Sequence, residues 1–516
     1  MAKLQENKWL VLALILSAAV YSCFFFAKPI NLTTADLGRH IVNGELLVNG
    51  ITDVLHRNFY SYTEPNHSFT NHHWLTGVVF YYVHELADFE GLSILYMLLV
   101  FGAVVTVVSA SRKDDKWTIP ILVGLCVVQM ISYRVEIRPE GFSYLFACLF
   151  YLMLQKVRSS EGNSKFLISG LLLLQLIWVN LHILFFLGIG ITGIFLVDAF
   201  VNRKEDIKKF GLLVIGLTVV SIATPHHIKG LLAPLTIFNE YGYMVAENQP
   251  IWFMHERFGD SQLYHFEIFS IITVMLIGLI FKYGSWKKHL VEILLATTFL
   301  ALSVFAVRGI PLFALFFIPL GSAFLHGRID NLNFNTRQSV TKVLPILGIG
   351  FSILFLALPK TYASARKGFE AIGLIENINR TGEFLRNQEI PGPIFNNYDV
   401  GGYLIYHLHD REKLFVDNRP EAYSVAFFDS IYKPMQQDDE IWKQRSEEYG
   451  FNVICFFRHD NTPWAQPFLI RRTQDPEWVP VFVDQACLVL IKNRESNRRW
   501  IQRFGIDRSV FRSVPN

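Results

Sequence analysis

The chain has 516 residues, of which 52% are hydrophobic and 15% aromatic but only 18% charged, and its mean hydropathy is +0.31. Soluble globular proteins usually carry about a quarter charged residues, so the composition favours a membrane protein over a soluble one. The formal net charge of +3 lacks the basic excess typical of nucleic-acid-binding proteins, and we expect no nucleic-acid partner.

Apolar stretches predict a polytopic helical membrane domain with about 11 transmembrane helices. A helix needs about 20 mainly apolar residues to cross a hydrocarbon core of roughly 30 Å. The predicted spans are 10–29, 91–110, 118–134, 141–155, 166–180, 183–200, 210–224, 266–282, 289–307, 310–326 and 342–358. Residues 74–87 are also apolar but too short to span, so we predict a helix at the membrane edge.

The charges of the loops predict the orientation. Lysine and arginine are enriched in cytoplasmic loops, and five connecting loops carry clusters of them. These loops are 111–116, 155–165, 202–209, 281–289 and 326–342. All five lie on the cytoplasmic side if the N-terminus is cytoplasmic and 74–87 does not cross. We therefore expect the first outer loop, 30–90, and everything after Pro359 to be extracytoplasmic.

Residues 360–516 have a different pattern, in which short apolar runs alternate with helix-length segments. This alternation predicts a C-terminal soluble α/β domain, so the expected domains are 1–359 in the membrane and 360–516 outside. Predicted strands are 393–396, 413–417, 451–457, 479–483 and 487–491. Cys455 and Cys487 lie in this region, and their spacing leaves open whether they form a disulfide.

Unusual polar residues gather on the outer face of the membrane domain. Asp36, His40 and Asn43 share one side of an amphipathic helix predicted for 33–48, and Thr33 with Asp36 fits a capping box. Polar groups at membrane depth are costly and tend to mark functional sites. Further candidates on this face are Arg39, His72, His73, Arg138, Glu140, Asn180, His182 and Arg308.

Each of these candidates also has a structural interpretation. A guanidinium forks onto phosphate oxygens, which favours Arg138 and Arg308 as phosphate ligands. A Glu–Arg pair at a helix end and snorkelling are the respective alternatives. The histidines show no zinc-site spacing, so we expect no cofactor and leave only a small possibility for a divalent metal.

Two stretches of the soluble region offer residues for an acceptor, namely 396–408 and 415–423. Each follows a predicted strand, as ligand-facing loops of α/β sheets do. Asp399, Asp417 and Arg419 are the acceptor-side candidates. Alternatively, Asp399 caps a helix and Arg419 pairs with Asp417 or Glu421. The adjacent Gly401 and Gly402 favour a tight turn or a close backbone approach.

The order of these parts resembles the GT-C superfamily of membrane glycosyltransferases, which includes protein O-mannosyltransferases, aminoarabinose transferases and the oligosaccharyltransferase catalytic subunit. The strings D36-L-G-R-H-I, F59-Y-S-Y-T63, N71-H-H-W-L75, W178-V-N-L-H182 and F395-N-N-Y-D-V-G-G-Y-L with F415-V-D-N-R look most like a bacterial group within it. The resemblance implies a polyprenyl-phosphate-linked sugar donor, an external active site and Asp36 as the catalytic carboxylate. Many members carry a second acid beside it. Leu37 and Gly38 stand here instead, which leaves Asp36 as a lone general base.

The expected function is therefore sugar transfer from a polyprenyl-phosphate donor to a glycan, lipid or protein acceptor, with inversion at the anomeric carbon. It would take place at the outer face of a bacterial cytoplasmic (inner) membrane, with the prenyl chain among membrane lipids and apolar helices. A transporter or flippase for a lipid or small solute is one alternative, although the sequence shows no internal repeat. A non-catalytic membrane scaffold with an external binding domain is another.

Overall fold

The computed structural model describes residues 6–134, 136–159, 164–237, 241–259, 263–358, 372–375 and 377–511. Its N-terminal part is a helical bundle that also carries the first outer loop. The helices of this part are α1 Lys8–Phe26, α2 Leu37–Val48, α3 Trp74–Ala110, α4 Thr118–Ile131, α5 Glu140–Ser159, α6 Ser164–Leu181, α7 Phe186–Asn202, α8 Ile207–Val220, α9 His227–Thr236, α10 Ile251–Phe258, α11 Leu263–Lys282, α12 Leu290–Phe305, α13 Ile310–Asp330 and α14 Phe334–Ala357.

Each of the predicted spans coincides with a helix. Within the described ranges, seven helices are long and apolar enough to cross a membrane. They begin at Lys8, Trp74, Ser164, Ile183, Leu263, Val307 and Phe334. The other four predicted spans coincide with α4, α5, α8 and α12, which do not meet that criterion; α4, α8 and α12 have only 14, 14 and 16 residues.

Helix α3 is interrupted near its middle. Ala87 and Asp88 have non-helical backbone angles, and Asp88 has φ 49°, in the left-handed region. The interruption separates an apolar segment of about 13 residues from a longer one, and the predicted edge helix 74–87 and the predicted span 91–110 lie on either side of it. The sequence therefore predicted this break, because segment 74–87 is shorter than the length that a helix needs to cross the bilayer.

Helix α2 is held between α3 and the soluble region by glycine contacts. A Cβ added at Gly44 would lie 2.1 Å from the carbonyl oxygen of Gly77 in α3, so the two backbones touch. On the other side, a Cβ at Gly38 would lie 2.8 Å from Cβ of Tyr406 and 3.0 Å from the carbonyl oxygen of Gly402. The close backbone approach predicted at the glycine pair therefore occurs against α2, and it fixes the residues at the start of that helix.

The C-terminal region contains a four-stranded mixed sheet in the order β3-β4-β6-β5. Strand β3 is parallel to β4, and the other two pairs are antiparallel. A separate parallel pair, β1 with β2, joins the end of α1 to this region. The strands are β1 Pro29–Ile30, β2 Gly373–Leu374, β3 Ile394–Asn396, β4 Val453–Phe457, β5 Trp478–Val483 and β6 Cys487–Lys492. The helices are α15 Arg380–Gln388, α16 Gly401–Leu408, α17 Val425–Phe427, α18 Lys433–Gln437, α19 Asp439–Glu448, α20 Ala465–Gln474 and α21 Arg498–Phe504.

The strand predicted at 413–417 is wrong. Leu414 forms only isolated bridges, to Ile394 and to Ser61 of the first outer loop. Its N–H donates to the carbonyl of Tyr60, and its own carbonyl accepts from Tyr62. Because residues of the first outer loop form these backbone hydrogen bonds, the segment connects that loop to the C-terminal region instead of extending the sheet.

Cys455 and Cys487 lie in the neighbouring strands β4 and β6, where both are buried and free of a disulfide.

Candidate functional site

A cavity of about 1320 Å³ lies between the outer helix ends and the C-terminal region. One side is apolar and is formed by helices α7, α10, α12 and α13. Its lining there includes Phe186, Leu187, Met254, Phe299, Leu302, Phe305 and Leu312. The rest is strongly polar, with arginines, carboxylates and histidines drawn from the outer loops. The cavity thus joins a surface suited to an apolar chain to one suited to charged chemistry.

Ten of the thirteen residues selected from the sequence line this cavity. They are Asp36, Arg39, His40, His72, His73, Arg138, Glu140, His182, Arg308 and Asp399. They come from the first outer loop, from the connections between spans and from the turn after β3. Most of them were chosen because the loop charges predict that they lie on the same side of the membrane.

Asn180 has a structural position outside the lining. Its Oδ1 accepts a hydrogen bond of 2.9 Å from Nε1 of Trp74, and its Nδ2 donates to the carbonyls of Leu176 and Ala223. Asn180 therefore ties α6 to the start of α3 and to the loop after α8.

Asp417 and Arg419 also lie outside the lining, in a buried ion pair. Their side chains are 0% and 2% exposed, and two guanidinium nitrogens of Arg419 lie 2.6 and 2.7 Å from the carboxylate. A third bond, of 2.8 Å, joins Arg419 to Oδ1 of Asn58 in the first outer loop. The pair therefore stabilises the contact between that loop and the soluble region.

Asp36 immediately precedes α2 and faces two guanidinium groups. Its Oδ1 lies 3.4 Å from Arg39 and its Oδ2 lies 3.2 Å from Arg138. Its side chain makes no capping hydrogen bond, and the hydroxyl of Thr33 donates to the carbonyl of Ile378 instead. The capping box predicted for Thr33 and Asp36 is therefore absent at the start of α2, which the structure describes in full. The carboxylate of Asp36 is directed at the two arginines instead.

The arginines form a network with acids from distant loops. Arg138 contacts Glu136 at 2.5 Å and Glu247 at 2.9 Å, and Arg134 contacts Glu247 at 2.7 Å. Burial opposes ionisation of Glu247, but Arg134 and Arg138 outweigh it and hold the pKa of that carboxyl well below its usual range. Glu247 is therefore a fixed anion that orients both guanidinium groups.

Arg308 is held more loosely than Arg134 and Arg138. Its Nη1 donates to the neutral amide of Asn248 at 2.8 Å, and its Nη2 lies 3.5 Å from Glu140. Sequence reasoning selected Arg308 and Glu140 but assigned no role to Arg134 or Glu247. The spacing of Arg134 and Arg138, four residues apart beside two glutamates, was the available signal.

Four histidines pack together at the cavity. Ring centroids are 5.5 Å apart for His40 and His73, 4.2 Å for His72 and His73, and 5.0 Å for His73 and His182. Burial lowers the pKa of His72 to about 3 and those of His40 and His73 well below the ordinary value. These rings are uncharged at neutral pH and offer hydrogen bonds, not charge.

No group of three or more His, Cys, Asp or Glu residues within the described ranges has an arrangement that could hold a metal ion.

The C-terminal region lines the cavity with turns that follow its strands. Because β3 and β4 are parallel, their carboxyl ends lie at the same edge of the sheet. Tyr398, in the first of these turns, stacks on Tyr243 with ring centroids 4.0 Å apart. Burial and the nearby carboxylate of Asp460 raise the pKa of Asp399. This side of the cavity is aromatic and acidic.

Comparison with known proteins identifies the architecture. No protein-family model matches the sequence, and a search of curated proteins finds no match. Among solved structures, the archaeal oligosaccharyltransferase AglB from Archaeoglobus fulgidus, in complex with an inhibitory peptide and a dolichol-phosphate, aligns with a TM-score of 0.62 and 11% identity. The alignment covers 93% of this chain and 74% of AglB.

A second similar structure is ArnT from Cupriavidus metallidurans bound to undecaprenyl phosphate, with a TM-score of 0.53 and 11% identity. The alignment covers 93% of this chain and 97% of ArnT. Both neighbours are membrane glycosyltransferases of the GT-C superfamily. The chain therefore has the GT-C fold, as the sequence motifs predicted.

Proposed function

We propose that this protein is a membrane glycosyltransferase that moves a sugar from a polyprenyl-phosphate donor to an acceptor at the outer face of the membrane. The observation that supports this most is the cavity, in which Asp36 and five arginines, four of them in the network around Glu247 and Glu140, adjoin an apolar wall. A lipid-linked phosphate has both an anionic head and an apolar tail, and the cavity has a surface for each. The GT-C fold is consistent with this reaction, and the AglB and ArnT structures compared above contain dolichol-phosphate and undecaprenyl phosphate respectively.

The proposed chemistry is a single displacement. The acceptor oxygen attacks the anomeric carbon as the bond from that carbon to the phosphate oxygen breaks, which inverts the configuration. Asp36 is the proposed base that takes the acceptor proton, since a carboxylate can serve this role when it is within hydrogen-bond reach. The departing phosphate carries the negative charge, and preorganised cations stabilise such charge.

Arg39 and Arg308 are the proposed phosphate ligands. Each lies at least 3.4 Å from its acidic partner, so binding a phosphate there disrupts less than it would at Arg134 or Arg138. Arg138 contacts Asp36 directly and orients it. The uncharged histidines beside them are proposed as hydrogen-bond donors to the donor sugar.

The proposed location is the cytoplasmic (inner) membrane of a bacterium, with the C-terminal region outside. The loop charges support this orientation. Alkaline phosphatase fused after residue 516 is active only outside the cytoplasm, so we expect an active fusion. An inactive fusion that is present in the membrane would overturn the orientation.

A comparison of two aspartates in the same loop tests the function. Asp36→Asn removes the proposed base, whereas Asp53→Asn changes an exposed residue that pairs with Arg57. Mass spectrometry of glycolipids, glycans and glycoproteins from cells expressing each variant is the measurement. We expect one glycosylated product to disappear with Asp36→Asn and to persist with Asp53→Asn. Unchanged products with Asp36→Asn, at wild-type protein levels, would refute the proposal.

A further inference from the structure

Glu421 is a carboxyl group of the cavity that the proposed reaction does not yet use. It lies in the turn Pro420–Ala422 of the C-terminal region and lines the same cavity as Asp36. Its neighbour Arg419 directs its guanidinium to Asp417 and Asn58 instead. The Oε2 atom of Glu421 is buried and has no hydrogen-bond partner among the residues that the structure describes.

This isolation distinguishes Glu421 from the acids of the arginine network. Asp36 lies within 4 Å of two arginines, as do Glu140 and Glu247. Glu421 takes part in no ion pair of that length with another described residue, although the charges of Arg39, Arg419 and Asp36 reach it. A buried acceptor atom without a donor is costly, so this oxygen favours a ligand that brings a donor.

The chemistry of that ligand follows from the surrounding charges. The phosphodiester of a polyprenyl-phosphate-linked sugar has no hydrogen-bond donor and would be repelled by an ionised Glu421, so Glu421 is unsuited to binding the donor's phosphate. Burial, followed by the charges of two other acids, Asp460 and Glu136, raises the pKa of Asp399, which lines the same cavity. Of the basic side chains around this part of the cavity, Lys433 pairs with Asp429 at 2.6 Å and Arg257 of α10 donates to the carbonyl of Asn461. Arg39, whose charge reaches Glu421, is the proposed ligand of the donor phosphate. A neutral molecule rich in hydroxyl groups fits this environment better than an anion.

Building on the proposed function, we propose that Glu421 positions a neutral, hydroxyl-bearing carbohydrate acceptor by accepting a hydrogen bond from one of its hydroxyl groups. Asp36 remains the base, and Glu421 holds the acceptor without taking part in the displacement. The acceptor is thereby bound from the C-terminal region, whereas the donor phosphate is bound by the arginines. A phosphorylated sugar is disfavoured as acceptor because its phosphate would be repelled by the ionised carboxylate of Glu421, which has no ion-pair partner within 4 Å among the described residues.

The protonation of Glu421 provides a readout that a purely structural role would not give. Burial raises the pKa of Glu421 to about 7. The ionised form accepts a hydrogen bond more strongly than the protonated form. Acceptor binding should therefore improve as the pH rises through about 7, and replacing Glu421 by glutamine should remove this dependence.

Steady-state kinetics of the purified full-length protein in nanodiscs tests the proposal. The donors are a panel of undecaprenyl-phosphate hexoses, and the acceptors are methyl hexosides and their 6-phosphates. We expect the wild type to favour the neutral acceptors. Glu421→Gln should raise their KM about tenfold or more at pH 8, with kcat at saturation and the donor KM nearly unchanged. Its pH profile for acceptor kcat/KM should be flat where that of the wild type rises.

Two further variants complete the design. Glu440→Gln alters an 86% exposed acid outside the cavity lining and should behave as the wild type. Glu421→Asp keeps the carboxyl and provides the pH profile if Glu421→Gln fails to accumulate. A wild-type KM and pH profile in Glu421→Gln, or a preference of the wild type for the phosphorylated acceptors, would overturn this inference alone. Absence of sugar transfer by the wild type from every donor would instead overturn the proposed function.

Discussion

Replacing Arg308 by glutamine is the most direct test of the proposed lipid-phosphate site in the cavity. The guanidinium donates at 2.8 Å to the neutral amide of Asn248 and lies 3.5 Å from Glu140, so its charge is only partly neutralised. Glutamine removes the charge but retains a polar side chain of similar bulk. Glu140 keeps a second arginine, Arg134, at 3.8 Å, so we expect the fold to tolerate the change.

The expected loss follows from the value of one charged hydrogen bond. Such a bond contributes about 1.5–3 kcal/mol, and each 1.4 kcal/mol corresponds to tenfold in Kd. Arg308→Gln should therefore weaken binding of undecaprenyl phosphate by roughly 10- to 100-fold. Arg308→Lys should fall between the two, because lysine keeps the charge but loses the two-pronged geometry.

The assay compares undecaprenyl phosphate with the uncharged alcohol undecaprenol, both titrated into nanodiscs containing the protein and quantified by native mass spectrometry. The alcohol reports the contribution of the apolar wall, and the difference between the two lipids isolates the phosphate. Arg386→Gln is the matched control, since that arginine pairs with Asp410 and lies outside the lining of the cavity. If Arg308→Gln kept the full preference for the phosphate over the alcohol, the proposed role of Arg308 would be refuted.

Three other changes probe the frame of the site. Gly44→Val should lower thermal stability and sugar transfer together, because overpacking costs about 1–3 kcal/mol and shifts α2. Thermal unfolding and a transfer assay measure the two losses. Gly193→Ala is the control, because a Cβ at Gly193 would meet no other atom within 4 Å. Arg419→Ala should destabilise the protein by about 3–5 kcal/mol because it strands the buried carboxylate of Asp417. Thermal unfolding measures that loss, and an unchanged unfolding temperature would contradict it. The pKa of Glu421 is about 7 in the folded protein, above the ordinary value of 4.5. Between pH 4.5 and pH 7 the folded protein therefore binds more protons at this group than the unfolded protein does. The contribution of Glu421 to the free energy of unfolding consequently falls as the pH rises. Glu421→Gln should therefore gain stability relative to the wild type from pH 5 to pH 8, and a constant difference would contradict the assignment.

Local signals explain what the sequence predicted well. Hydropathy and loop charge can be read from short stretches of sequence, and the bilayer thickness sets the length that a span needs. Together they predicted the helix positions and the break in α3 near Asp88. The same reasoning sorted polar residues by side of the membrane. It placed Asp36, Arg138 and Arg308 in one group although they lie far apart in the chain, and the structure shows that all three line one cavity.

Pairings between distant segments were beyond the same reasoning. Arg134 and Glu247 are 113 residues apart and meet only because two outer loops converge. The apolar run 413–417 has the pattern of a strand, but the first outer loop takes its backbone hydrogen bonds. The sequence allowed Arg419 to pair with either Asp417 or Glu421. In the structure Arg419 pairs with Asp417. Glu421 has no ion-pair partner among the described residues, and its Oε2 has no hydrogen-bond partner there.

The charge balance of the cavity limits where the proposed donor phosphate could bind. Its arginine network holds four guanidinium groups and four carboxylates, so the cavity attracts a phosphate only where contacts are loose. Arg134 and Arg138 lie within 3 Å of Glu247, and withdrawing them would leave a buried carboxylate unpaired at a cost of several kcal/mol. Arg39 and Arg308 have contacts of 3.4 and 3.5 Å with their acids and can turn to a new anion at lower cost. The proposed phosphate site at Arg39 and Arg308 therefore leaves the close pairs of Glu247 with Arg134 and Arg138 intact.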